Sequence, residues 1–135
     1  MKNILMVLAP AALLASCGDG PNEAAADRLE DAAEASAAAA GPAPVALGLS
    51  EAQLLEADLI GPGNLELGDV ASLVRGPSGA VEGLLIEIED SDPDRFVQVP
   101  TSGLTVVRRG NDQDLSTTMT KEQLAALPDA QLPTQ

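Results

Sequence analysis

The stretch Gly68–Asp90, GDVASLVRGPSGAVEGLLIEIED, decides how the fold is read. Val70, Ser72 and Val74 alternate with Ala71, Leu73 and Arg75, the two-residue period of a half-buried strand. Gly76-Pro77-Ser78-Gly79 then turns the chain, because proline pre-sets φ at the second turn position and Gly79 can take a positive φ. The return strand places Leu84, Ile86 and Ile88 on one face and Glu87 and Glu89 on the other. Val81 is out of step with that set by one residue, so a bulge or bend is expected at Gly83. The stretch reads as one long β-hairpin in a small β-domain, and nothing in it specifies a reaction.

Shorter elements flank the hairpin. Upstream, Ser50 with Gln53 three residues on forms a capping box, and Leu49 with Leu54 a hydrophobic staple, for a short helix ending near Ala57. Asp58-Leu59-Ile60 starts a strand, and Gly61-Pro62-Gly63-Asn64 turns into the hairpin. Downstream, Arg95–Pro100 and Leu104–Arg108 read as strands, Gly110–Asp114 as a turn, and Leu115–Met119 as the last strand. Thr120 with Gln123 then repeats the cap for a helix over Lys121–Leu127, which Pro128 stops. Several short strands with Gly-rich turns predict a small barrel, mainly β with short flanking helices, whose closure would leave no bare edge.

Composition narrows the function classes. The chain has 135 residues, of which 23 are alanine, with one Phe and no Trp or Tyr, so the core must be aliphatic. A β-domain of roughly 85 residues buries about 60–65% of its unfolded surface, enough to fold alone with modest stability. Seven basic residues against 21 acidic ones give a net charge of −14. Nucleic-acid binding is excluded, since phosphates are neutralised by Lys and Arg. Anionic lipid surfaces are repelled too, so membrane contact needs a covalent anchor.

The first residues offer that anchor. Lys2 precedes an apolar run, Ile4–Leu14, too short to span a bilayer but suited to a signal peptide. Leu14-Ala15-Ser16-Cys17 follows and resembles the lipobox of bacterial lipoproteins. The resemblance implies lipidation of the Cys17 thiol, cleavage before it, and acylation of the new amino terminus. An ordinary secreted protein with a chance cysteine at the cut is the alternative. Cys17 is the single cysteine, so its lipidation leaves no thiol for a disulfide or a thiolate metal site. Two or more acyl chains anchor stably where one is marginal. Gly18 rather than Asp after the cysteine favours the outer membrane over the inner by resemblance to the enterobacterial sorting rule.

The expected organisation is a signal peptide over 1–16, an acylated Cys17 with an Ala-rich acidic tether over 17–48, a folded domain over 49–130, and a disordered tail over 131–135. Within the tether, 22–40 has high helix propensity, yet Leu29 is its only large apolar residue, leaving no face to bury. A fraying helix or a disordered spacer of about 30 Å is expected. An alanine-zipper coiled coil lacks its heptad of Leu, Ile or Val.

The order Leu59-Ile60-Gly61, Leu67-Gly68-Asp69-Val70, Gly76-Pro77-Ser78-Gly79-Ala80-Val81, Val97-Gln98-Val99-Pro100, Thr120-Lys121-Glu122-Gln123-Leu124 resembles the PRC-barrel family over about 56–128. That resemblance implies a small β-barrel used to dock onto other macromolecules, with no catalytic constellation. Two departures bear on partners. The glycine-rich apolar loop common before the fourth strand is here Glu89-Asp90-Ser91-Asp92-Pro93-Asp94, and the aromatic often found after the strand-ending proline is Thr101.

Catalytic groups are scarce. There is no His, which removes Ser-His and Cys-His nucleophile pairs and His-ligated metals; no catalytic residue, cofactor or firm metal site is expected. Asp90-x-Asp92-x-Asp94 repeats the opening spacing of a calcium loop but departs at Arg95 and Thr101, leaving a solvated turn or a weak Ca²⁺ site shared with Glu87 or Glu89. Arg108-Arg109 either contacts an acidic partner or balances Asp112 and Asp114. The function expected is a membrane-anchored, periplasm-facing docking module without catalysis, its partners the bilayer and another envelope protein. The alternative is a structural or stress-response lipoprotein acting through its acidic surface.

Overall fold

The computed structural model describes residues 21–132, so the expected signal peptide and the lipidation expected at Cys17 lie outside the described residues. A helix α1 (Pro21–Ala40) leads to a two-strand hairpin, β1 (Pro44–Ala46) and β2 (Leu49–Ser50), and then to α2 (Glu51–Leu55). The six remaining strands are β3 (Asp58–Ile60), β4 (Glu66–Arg75), β5 (Val81–Ile88), β6 (Phe96–Pro100), β7 (Thr105–Arg109) and β8 (Asp112–Ser116), followed by α3 (Lys121–Ala125). They form one mixed sheet in the order β6-β5-β4-β3-β8-β7. All pairings are antiparallel except β3 with β8, where Leu59 meets Leu115.

The hairpin forms where the sequence places it. Gly76 donates its N–H to the Ala80 carbonyl and Gly79, at φ 82°, donates to Gly76. The return strand carries the expected bulge: Val74 faces Gly83 and Arg75 faces Val81, leaving Glu82 as the extra residue. A second bulge breaks the expected alternation of the outgoing strand. Val70 pairs with Ile86 and Ser72 with Leu85, so Ala71 is the extra residue there. Leu73, opposite Leu84, therefore stays with the inner core while Ala71 and Val74 join the outer side.

Both capping boxes are complete. The Ser50 and Thr120 side chains accept from the N–H of Gln53 and Gln123, whose side-chain oxygens accept in return from the cap N–H groups. Near the C-terminal strands the expectation needs correcting. The last strand is Asp112–Ser116 rather than 115–119, because a two-residue loop, Gly110-Asn111, closes β7 against β8 with Arg109 facing Asp112. Gly110, at φ 64°, fills the first loop position, which a tight hairpin reserves for glycine.

One aliphatic cluster fills the inside of the sheet. Leu59, Leu67, Val70, Leu84, Ile86, Val97, Val99, Leu104 and Leu115 meet there, closed off by Leu54 of α2 and Leu124 of α3. The two end strands contribute to the same cluster, which requires the sheet to curl strongly. No ladder joins β6 to β7 among the described residues, so the architecture is a curled mixed sheet with short helices, where the sequence predicted a closed barrel. The outer edge of β6 is covered instead by the C-terminal segment: Ala130 donates to the Phe96 carbonyl, and Arg95 holds Asp129 at 2.6 Å. Leu132 packs beside Ala130, so the expected disordered tail is docked at its start.

The spacer upstream also departs from expectation. Leu47 and Gly48, at φ 53° and 76°, turn the chain so that β1 pairs with β2, and Val45, Ala46 and Leu47 pack on the inner core. Helix α1 does bury a face. Ala26, Leu29, Ala33 and Ala37 recur at three- and four-residue spacing and are each at most 9% exposed. Large side chains alone give this helix no face, but methyl groups suffice when a helix lies close to a sheet.

A salt bridge ties α2 to the hairpin. Glu51, 3% exposed, accepts from Arg75 Nη2 at 2.8 Å, and Arg75 Nη1 donates to the Gly79 carbonyl. Arg75→Ala strands a buried carboxylate, and the expected cost is about 2 kcal/mol in urea unfolding. Adding Glu51→Gln to that variant should recover part of the loss, because the orphaned charge is then gone.

Candidate functional site

The outer face of the sheet carries the features with functional potential. Leu85 lies between the inward-facing Leu84 and Ile86, so it points outward, and the bulge at Ala71 turns Ala71 and Val74 to the same side. Phe96 joins them, and Ala26 and Leu29 of α1 cover part of this second cluster. The part left uncovered is an open groove of about 620 Å³ walled by Leu29, Leu73, Val74, Leu85, Gln98 and Ala130. α1 forms one wall, the hairpin the floor and the C-terminal segment the other wall.

Beside the apolar patch runs a row of carboxylates that only the register creates. Asp58 of β3 faces Asp69 of β4, and Asp69 faces Glu87 of β5. Asp114 of β8 extends the row: its Oδ1 accepts from the Asp58 N–H at 3.3 Å. Like charges directly opposite one another across a sheet are destabilising. Arg109 relieves one end, with Nε at 3.3 Å from Asp114 and Nη1 at 3.9 Å from Asp58. At the other end no Lys or Arg among the described residues forms an ion pair with Asp69 or Glu87. Burial first, then a hydrogen bond that the protonated Asp69 donates to Asp58, and the charges of Asp58, Glu89 and Glu66, push the Asp69 carboxyl up to about 6. Burial also raises Glu87, helped by the charges of Asp94, Glu30, Asp69 and Glu89.

The sign of the linkage follows. Asp69 binds its proton more tightly in the folded chain than its ordinary value of 3.8 allows, so ionising it opposes folding. That opposition is full above pH 6 and is relieved as pH falls from 6 toward 4. The urea midpoint should therefore rise between about pH 7 and pH 5, and Asp69→Asn should flatten the rise.

The residues singled out from sequence are placed as follows. Arg109 is the clamp on Asp58 and Asp114, while Arg108 beside it is exposed. Asp90, Asp92 and Asp94 do not gather: Asp90 sits at φ 59° with Lys121 at 3.8 Å, and Ser91 organises the loop by donating to the Ile88 carbonyl and accepting from the Arg95 N–H. The one trio of acid oxygens within 4.8 Å among the described residues belongs to Asp58, Glu66 and Asp69. Sequence reasoning missed this row because Asp58, Asp69 and Glu87 are far apart in the chain; an acid at an outward position of each predicted strand was the only signal. No described helix is long and apolar enough to cross a membrane. Comparison with protein-family models and with curated proteins finds no match.

Proposed function

We propose that this chain is a lipid-anchored docking module of the bacterial envelope, tethered through an acylated Cys17, facing the periplasm, and binding another envelope protein without catalysing a reaction. The groove between α1, the hairpin and the C-terminal segment carries the docking part of the reading: it is open, walled on both sides, and lined by aliphatic side chains with Arg75, Gln98 and Asp129 at its margin. The Leu14-Ala15-Ser16-Cys17 motif supports the anchor, and Gly18 favours the outer membrane. The order of motifs through the hairpin and the Thr120-capped helix supports kinship with the PRC-barrel family, and on that reading the curled sheet is a barrel closing between β6 and β7.

Two experiments test the proposal. Cys17→Ala should move the protein from the membrane to the soluble fraction, and persistence in the membrane would refute the anchor. A photocrosslinker at Val74 should give one discrete, salt-resistant adduct, which Leu85→Arg abolishes while the fold is retained. A second reading, action through the acidic surface with no defined partner, is favoured by the carboxylate row. It expects instead a smear of salt-sensitive adducts that Leu85→Arg leaves unchanged.

A further inference from the structure

Helix α1 lies over both halves of the outer face, and the two halves pull in opposite directions. Toward the apolar patch it offers only Ala26 and Leu29, while Ala33 and Ala37 continue the buried stripe beyond it. Toward the carboxylate row it offers Glu30 and Glu34, which line a cavity of about 230 Å³ together with Asp69 and Glu87. Among the described residues no basic side chain lines that cavity. The other lining residues are Ala33, Leu55, Val70 and Ala71, so the carboxylates face one another across a partly apolar space.

We propose that α1 is a detachable cover on the sheet, held by its alanine stripe and opposed by carboxylate repulsion, so that acidity and salt set how often it lifts.

α1 also packs against α2, whose buried Glu51 is paired with Arg75 and whose C-cap Glu56 is exposed, so the groups near the seam come from both helices and from the sheet. Glu30 and Glu34 belong to α1, Asp58 to β3, Glu66 and Asp69 to β4 and Glu87 to β5, with Glu89 and Asp94 in the following loop. Arg109 is engaged with Asp58 and Asp114 at the far end of the row. Glu30 is among the charges that raise Glu87, so helix and sheet sense each other directly. Protonating the seam removes the repulsion and leaves the apolar contact, which favours the seated helix; screening by salt acts the same way.

The pivot is built in. α1 ends at Gly41, whose φ of 69° closes the helix through an N–H bond to the Ala37 carbonyl, and an added side chain there would meet nothing within 4 Å. Immediately beyond it the β1–β2 hairpin is fixed to the inner core by Val45, Ala46 and Leu47. Lifting about Gly41 would uncover Ala71, Leu85 and Phe96 and remove the Leu29 wall of the groove. The inference does not depend on what docks there.

Hydrogen exchange of the full chain in detergent micelles tests it. After correction for intrinsic exchange, protection of the α1 amides should be roughly tenfold greater at about pH 5.5 than at about pH 7.5. About 0.5 M NaCl should raise protection at the higher pH. Protection of β5 should not follow these changes, which separates lifting from global unfolding. Glu30→Gln with Glu34→Gln, at exposed helix positions, should give the acid level of protection at both pH values. Glu87→Gln should act in the same direction without altering the helix's own sequence. Arg28 is the only Lys or Arg between Lys2 and Arg75, so tryptic cleavage there should slow in parallel in these variants. Equal protection at both pH values would overturn the inference. So would an effect confined to the helix-side variants, which would mark intrinsic helicity rather than docking.

Discussion

Gly68→Ala is expected to cost about 3 kcal/mol and to lower the urea midpoint with no change in slope. Gly68 sits near the start of β4, opposite Leu59 on one side and Ile88 on the other. A Cβ there would run into the carbonyl oxygen of Glu87 and come within 2.9 Å of Ile86 Cγ2. The first obstacle is backbone already committed to the sheet ladder, so it cannot rotate aside as a side chain would. The strain must be spread over two strand pairings. Gly103→Ala serves as the control, since no atom lies within 4 Å of its added Cβ and its φ is not positive. That change should alter stability by a few tenths of a kcal/mol, mainly by restricting the unfolded chain.

Ile86→Ala should be at least as damaging, by about 4 kcal/mol, and Ile86→Val should cost about 1 kcal/mol. Ile86 is fully buried and stands between Val70 on β4 and Val97 on β6. Its neighbours are branched aliphatics fixed on paired strands, so little can move to refill the space. The single aromatic, Phe96, lies in the outer cluster and cannot swing across. Domains of this size are stable by roughly 5–10 kcal/mol, so the alanine variant would sit near the edge of folding. Thermal and urea melts on the pair of variants would check both the size and the ratio of the two effects.

What could be read from the sequence was what depends on near neighbours. The turn at Gly76–Gly79, the bulge before Gly83 and the Ser50 and Thr120 caps each rest on residues within four or five positions of one another, and local chemistry selects them. The bulge at Ala71 escaped because alanine and serine suit either face, so the pattern carries no phase error there. The burial of α1 escaped for a related reason: an alanine stripe has no contrast with the alanines around it. The candidate site was the least legible part. Its groove needs α1, the hairpin and the C-terminal segment together, and its carboxylate row needs two strand registers that no single segment encodes.

The parallel pairing of β3 with β8 has a consequence for biosynthesis. β3 is a central strand, yet one of its two neighbours is supplied more than fifty residues later, when Leu115 reaches Leu59. Until the ribosome has made that segment, the emerging chain holds a hairpin with a bare central strand beside it and no means of finishing the sheet. Completion is thus deferred until β8 has emerged, and any chain truncated before residue 112 should remain a substrate for chaperones and proteases.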